Sequence, residues 1–317
     1  MVLNCLKMVN NYNTTPLVVA FTPNYFIPAA TCLYSVLKNS SVQDKFHVIC
    51  LLSEDLPDRL KEKIQKLAEG RAEFSFVNLK GALGDVYVDE RYTEAASYRL
   101  LLPKILPEYD KILYIDCDMV IRQNLAKFYR ETDLGNNYLG GVFEASLDFQ
   151  KEHLDAVGCK PGEYINSGFL LMNLKLLRED NMVEKLINAL NVDYLEFPDQ
   201  DALNMVCKGR ILGLPPYYNS IRTFYLPQYD KFFLQYYSKE DLKVVRKEGN
   251  IHYTGGKPWN CLSVEFTTWW DYYSELPEWV KDEWCESKKL VLLYKFYKTY
   301  IGNIIINTLQ IIKRVFL

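Results

Sequence analysis

Residues 111–118 read KILYIDCD: Lys111, Ile112, Leu113, Tyr114, Ile115, Asp116, Cys117 and Asp118. A short apolar run of this kind makes a buried strand, and two carboxylates one residue apart follow it at once. Working outward, residues 17–21 (LVVAF) form a second such run, broken by Thr22, Pro23 and Asn24. Residues 46–52 (FHVICLL) and 73–77 read as two more strands. Between them, residues 25–37 and 56–68 carry apolar residues at helical spacing, as do residues 93–102, whose helix is expected to end before Pro103. Strands alternating with helices predict an α/β fold with a mostly parallel central sheet flanked by helices. Ligands of such sheets sit beyond the carboxyl ends of the strands, so the residues that follow LVVAF and KILYI are the ones to inspect.

The composition sets the frame. The chain has 317 residues, 49% of them hydrophobic and 14% aromatic, enough apolar material for a sizeable core. Thirty-seven basic against forty acidic residues leave a net charge of −3. That balance argues against a nucleic-acid partner, which would call for a broad basic surface. Eight scattered cysteines with no C-x-x-C pair read as buried thiols of a reducing compartment. Residues 1–15 are polar and lack the apolar stretch of a signal peptide, so the expected location is cytoplasmic. No repeat or low-complexity linker divides the chain, and the aromatic-rich region 215–284 reads as the far wall of a cleft. There is no G-x-G-x-x-G, Walker A or G-x-S-x-G motif.

The chemistry-bearing residues begin with Asp116 and Asp118. In an extended segment their side chains point to one side, and paired carboxylates suit a hard divalent ion, Mn²⁺ or Mg²⁺, that grips a diphosphate. A solvated turn is the plain alternative. Of the three histidines, His47 reads as a satisfied core residue and His153 as exposed. His252 leads into Gly255, Gly256 and Lys257, where glycine lets backbone approach phosphate and lysine supplies a point charge. Arg99, on a helix, suits a two-pronged phosphate or carboxylate clamp. Asn166, Ser167 and Gly168 read as a small turn leading into a strand, with sugar recognition as the functional alternative. Asp199, Gln200 and Asp201 open a helical pattern; Asp199 suits an N-cap or, with Gln200, a wall facing a sugar.

These residues together resemble glycosyltransferase family 8, the group of bacterial lipopolysaccharide glucosyl- and galactosyltransferases and glycogenins. The likeness rests on LVVAFTPNY, ASYRLLLPKILPEYDKILYIDCDMVI, YINSGFLLMNL, FPDQDALN and IHYTGGKPW, in that order over residues 17–270. It implies one GT-A domain over residues 1–286 that transfers a hexose, glucose or galactose, from a UDP-sugar with retention and with Mn²⁺ (or Mg²⁺). It implies Asp116, Asp118 and His252 as metal ligands and Ala20, Thr22, Asn24 and Tyr25 at the nucleoside. Arg99 and the Asp116-Cys117-Asp118 segment would lie at the donor, Asn166, Ser167, Gly168, Asp199 and Gln200 at the sugar, and Gly255 and Lys257 at the diphosphate. Arg99, Asp199 and Gln200 are the implied catalytic groups. The acceptor would be a glycan or lipid-linked glycan of the cell surface. Thr22 stands where the galactosyltransferase branch often has an acid, and the loop 252–257 is one residue shorter than in some members.

Two other readings compete. An inverting or nucleotidyl-transferring enzyme would need a base, for which Glu144 is the nearest candidate. A non-catalytic membrane or carbohydrate adaptor would leave the carboxylate–histidine set unexplained. Residues 287–317 differ from the rest: Lys288, Lys289, Lys295, Lys298, Lys313 and Arg314 accompany an apolar face, with no acid after Glu286. That is a basic amphipathic helix suited to an anionic membrane surface, placing the protein peripherally on the inner face. Its uncharged run, residues 299–312, is too short to span a bilayer.

Overall fold

The computed structural model describes residues 14–84, 94–192, 194–284, 287–305 and 308. Strands β1 (Thr14–Phe21), β2 (Lys45–Leu52), β3 (Ala72–Asn78), β4 (Lys111–Asp116), β6 (Leu139–Phe143), β7 (Ile165–Asn173) and β8 (Ile211–Gly213) form one sheet. Their order is β3-β2-β1-β4-β7-β6-β8. Only β7 runs against its neighbours; every other pairing in this sheet is parallel. A second sheet joins β5 (Met119–Val120), β10 (Ile251–His252) and β9 (Ser220–Ile221) in the order β5-β10-β9.

Side-chain alternation explains why the large sheet is covered on both faces. In β1, Leu17, Val19 and Phe21 enter one apolar cluster while Val18 enters another. In β4, Leu113 and Ile115 go with the first and Ile112 and Tyr114 with the second. A strand that is apolar at every position must bury both its faces, which is the signature of a helix-flanked sheet. The helix Phe26–Lys38 packs into the first cluster through Ile27, Ala30, Leu33 and others. The helix Asp58–Leu67 follows Pro57 and places Leu60, Ile64 and Leu67 inward, at the spacing of one helical face.

Several local expectations are corrected. Helical structure does not end before Pro103. The helix Glu94–Ser97 runs into a 3₁₀ turn, Tyr98–Leu101, and then into the helix Leu102–Ile105. Proline is tolerated there because the first turn of a helix has no use for its missing N–H. Thr93, the first residue of the expected helix, lies outside the described residues. His153 is not exposed: its ring packs near Tyr164 and Phe197 and bonds Asp201 at 2.9 Å. Asp199 is not the N-cap of its helix. Phe197 holds that position and Pro198 opens the helix Pro198–Val206. Cys32, Cys50, Cys117, Cys159 and Cys207 are buried free thiols, whereas Cys261 is exposed. His47 is satisfied as expected, bonding Tyr109 and, at 2.7 Å, Ser75.

The beginning of the C-terminal segment is attached to the rest. The helix Lys288–Tyr297 lies along the helix Phe266–Ser274. Tyr294 stacks on Trp270 and donates to Asp271 at 2.6 Å, Lys298 bonds the same carboxylate, and Tyr297 is buried. Among the described residues, no helix is long and apolar enough to cross a membrane. Most of the uncharged run after residue 305 lies outside the described residues.

Candidate active site

The site forms where β1 and β4 end and β7 begins. Register pairs Ala20 with Asp116, so the end of β1 lies against the end of β4. Asp116 is the last residue of β4 and shares a face with Tyr114, whose hydroxyl bonds Asp116 Oδ1 at 2.9 Å. Asp118 is not in the strand; it lies in the tight turn between β4 and β5. The turn sends the Cys117 side chain into the core, beside Cys32 and Cys50.

His252 arrives from the far end of the chain. It pairs with Met119 across the small sheet, which carries its ring to the acidic pair. One ligand atom from each of Asp116, Asp118 and His252 lies within 4.8 Å of the others. The hydrogen-bond directions around His252 can be followed residue by residue. The Gly168 N–H donates to Asn166 Oδ1 at 3.1 Å, so that atom is the amide oxygen. Asn219 Nδ2 donates to the same oxygen at 2.9 Å, which turns Asn219 Oδ1 toward His252 Nδ1 at 3.0 Å. Nδ1 therefore carries a hydrogen, which in the neutral ring leaves the Nε2 lone pair facing Asp118 Oδ1 at 3.3 Å. Asp118 Oδ1 is buried with no donor. A lone pair facing a carboxylate oxygen calls for a cation between them, so the residues present fit a divalent ion.

Gly168 makes room for this cluster. A Cβ at that position would lie 2.2 Å from His252 Cε1 and 2.8 Å from Asp116 Oδ2. Asn166, Ser167 and Gly168 are not a turn before a strand. They belong to β7, at a break in register: Val142 pairs with Asn166, and the adjacent Gly141 pairs with Leu170. The residues between bulge away from β6, and a bulge re-aims side chains.

Arg99 sits at the centre, only 3% exposed. Its guanidinium donates to the Ser167 carbonyl, to Asp116 Oδ1 at 2.8 Å and, through Nε, to the Ala96 carbonyl at 2.8 Å; it pairs ionically with Asp199 Oδ2 at 3.1 Å and lies over the Tyr114 ring. Burial works against its charge, but Asp116 and Asp199 more than offset this and raise its pKa. Asp199 also accepts from Ser167 Oγ at 3.1 Å. Burial raises its pKa against the opposing pull of Arg99. Burial likewise opposes the charge of Asp118, yet the Lys257 ammonium beside it holds its carboxyl well below the usual carboxylate range. Lys257 bonds Asp118 and, at 2.6 Å, the Tyr253 carbonyl. Gly255, three residues after His252, adopts φ +89°, a conformation costly for other residues.

Of the predicted nucleoside residues, Ala20 lies against Asp116 in register. Thr22 bonds Asn24, and Tyr25 meets Trp259 edge-on with ring centroids 5.6 Å apart. Gln200 faces Ser167: its Oε1 accepts the Ser167 N–H at 2.9 Å. Glu144 joins the same wall, accepting from Asn166 at 3.1 Å, and burial raises its pKa against the pull of its amide neighbours. Sequence reasoning missed Asn219, and no local signal marks it: it acts through β9, which only folding brings beside β10. Within the aromatic-rich region 215–284, several of the large rings are core. Trp269, Trp270, Phe224 and Tyr225 are buried, and Tyr218 packs on Phe128.

Sheet order, the acidic pair at the end of β4 and the histidine delivered by the small sheet define the GT-A class of sugar-transferring proteins. The model of glycosyl transferase family 8 matches residues 16–262, most of the chain, and the chain belongs to that family. It is 28% identical over 285 residues to a lipopolysaccharide 1,2-glucosyltransferase of Escherichia coli K12, covering 83% of this chain and 78% of the relative. The structure of the galactosyltransferase LgtC with donor and acceptor sugar analogues aligns with TM-score 0.70 and 22% identity. That alignment covers 85% of this chain and all of LgtC. The bifunctional glycosyltransferase WbbM aligns with TM-score 0.74 and 22% identity, over 88% of this chain and 52% of WbbM. The activity class is retaining, metal-assisted sugar transfer from a UDP-sugar.

Proposed function

We propose that this chain transfers glucose or galactose from its UDP-sugar to a glycan or lipid-linked glycan of the cell surface, with Mn²⁺ held by Asp116, Asp118 and His252. The observation that carries the proposal is the meeting of those three side chains, from β4, its turn and β10, beside Arg99 and Gln200. The ion, when bound, supplies Lewis-acid stabilisation of the charge that gathers on UDP as the sugar–phosphate bond breaks. Lys257, released from Asp118, would neutralise part of the diphosphate. Arg99 keeps Asp116, Asp199 and Ser167 in one arrangement. Asp199, paired with Arg99 and accepting from Ser167, is held as an orienting group and not as a free nucleophile. The acceptor hydroxyl attacks the anomeric carbon on the face UDP leaves, and its proton passes to a phosphate oxygen of the departing UDP. Trapping a glycosyl ester on Asp199 would overturn this route.

A panel of UDP-sugars with Mn²⁺ and EDTA controls tests the proposal through slow donor hydrolysis. Release of UDP from UDP-glucose or UDP-galactose, abolished by EDTA, is expected. Asp118→Ala should lower turnover at least about a hundredfold, the scale of losing about 3 kcal/mol of transition-state stabilisation. Near-normal turnover of that variant with metal supplied would discard the metal site.

For the C-terminal segment we propose peripheral binding to an anionic membrane, which would bring the site to a lipid-linked acceptor. Leu292, Phe296, Tyr300, Ile301, Ile304 and Ile305 are all exposed, alongside Lys288, Lys289 and Lys295. An exposed apolar face bordered by lysines suits insertion among anionic headgroups.

A further inference from the structure

We infer that Asp201 and Tyr164 are positioning residues: through one hydrogen-bonded relay they set which end of the Gln200 amide faces the site. The inference rests on the proposed place of Gln200 at the sugar. Asp201 is fully buried. Its Oδ2 accepts the N–H groups of Glu196 and Phe197, each at 3.0 Å. Its Oδ1 accepts the Tyr164 hydroxyl at 2.5 Å and meets His153 Nε2 at 2.9 Å.

A carboxylate only accepts, so the single proton of the Tyr164 hydroxyl is committed to Asp201. Burial and the nearby Asp201 charge push that phenol well above its ordinary pKa, so it keeps the proton. The phenol oxygen can then only accept, and the group that reaches it is Gln200 Nε2, at 3.1 Å. Nε2 also faces Glu144 Oε1 at 3.4 Å. Gln200 Oε1 is thereby turned to the Ser167 N–H. The opposite orientation would set the amide NH₂ against that N–H, donor against donor. The two ends of an amide carry opposite partial charges. A flip at the wall of the site would reverse the dipole that meets the positive charge developing on the sugar, an effect on the transition state more than on binding.

Asp201→Asn tests this with almost no change of shape. The oxygen of the substituted amide would keep the two backbone bonds, leaving its NH₂ to face Tyr164 and His153 Nε2. The tyrosine would then accept from that NH₂ and donate to Gln200, forcing the glutamine amide to flip. The expected result with Mn²⁺ and UDP-sugar is a fall in kcat of about tenfold or more, with KM and the affinity for Mn²⁺–UDP within about twofold and the variant folded by circular dichroism. Adding Tyr164→Phe removes the hydroxyl that forces the flip, so the double variant should recover part of the lost kcat. Wild-type kcat in folded Asp201→Asn, or losses that simply add in the double variant, would overturn the relay. If Asp201→Asn does not fold, Tyr164→Phe alone decides: a several-fold fall in kcat at unchanged KM supports the relay, and unchanged kcat refutes it. A wild-type protein that releases UDP from no UDP-sugar fails the functional reading itself and removes the relay's purpose with it.

Discussion

At the scale of single residues, the site depends on hydrogen-bond direction as much as on charge. The donor–acceptor chain from Gly168 through Asn166 and Asn219 ends on His252 Nδ1 and leaves Nε2 free to ligate. Partners of this kind around a metal-binding histidine contribute about 10–100-fold in metal affinity. Asn219→Ala should therefore weaken Mn²⁺ binding by about tenfold or more, with the fold intact by circular dichroism. Titration calorimetry with UDP present reads the change; unaltered affinity would show that Asn219 does not hold the ring. Gly168→Ala should act more severely, because the new methyl would overlap His252 Cε1 and crowd Asp116. The residues at 116, 118, 252 and 257 were legible in the sequence through the ordered motifs that carry the family likeness, since each alone has a plain alternative as a turn or a solvated side chain. Asn219 and Glu144 were not singled out for the metal or sugar, because an asparagine or a glutamate in an irregular segment carries no pattern of its own.

At the scale of elements, the strand ends hold the site and the surrounding turns hold the strands. Asp44, in the turn between the helix Phe26–Lys38 and β2, is buried. It accepts from the Ser41 N–H at 2.8 Å, Asn124 at 3.0 Å and Arg130 at 2.9 Å. Burial alone would raise its pKa, but the bonds from Asn124, Arg130 and Ser41 more than offset this and lower it. A carboxyl with a depressed folded-state pKa adds stability at pH values above its unfolded pKa, about 3.9, and loses it as pH falls through the folded value. Asp44→Asn should thus cost about 1–3 kcal/mol at neutral pH, and the gap to wild type should begin to narrow as pH falls below about 4 and be lost only through the lower folded-state value. Urea melts at neutral pH and at about pH 3.5 measure both; a gap independent of pH would remove the carboxylate's role. Strands β1, β2 and β4 were readable from their apolar runs and β3 from its alternation of apolar and polar residues. The expectation that failed at Pro103 did so because proline breaks a helix interior but is accommodated at the start of a new turn. Asn166 to Gly168 looked like a turn because of residue type, yet the bulge between β6 and β7 accepts them within a strand.

At the scale of the whole molecule, the C-terminal segment divides in two. Its first part is docked through Trp270, Asp271, Tyr294 and Tyr297, so a cut before residue 298 would uncover core aromatics. A cut after Lys298 leaves the docked helix and removes exposed Tyr300, Ile301, Ile304 and Ile305. That truncation should sharply reduce co-sedimentation with phosphatidylglycerol-containing vesicles while leaving UDP-sugar hydrolysis unchanged. Equal pelleting of the two forms would end the membrane proposal.

By itself the amino-acid order determined the alternation of strands and helices, and from it a covered, mostly parallel sheet. The reason is that apolar periodicity and chain breakers act over a few residues and are written locally. It also marked Asp116 and Asp118 as partners, because they are neighbours in the chain. The likeness to the family implied His252 as their fellow ligand; only the tertiary structure decided how the small sheet carries it to them, that Arg99 joins Asp116 to Asp199, and that Asp201 accepts from Tyr164. Those meetings depend on strand register and on a bulge, which arise from the packing of segments far apart in the chain and leave no trace in any one of them.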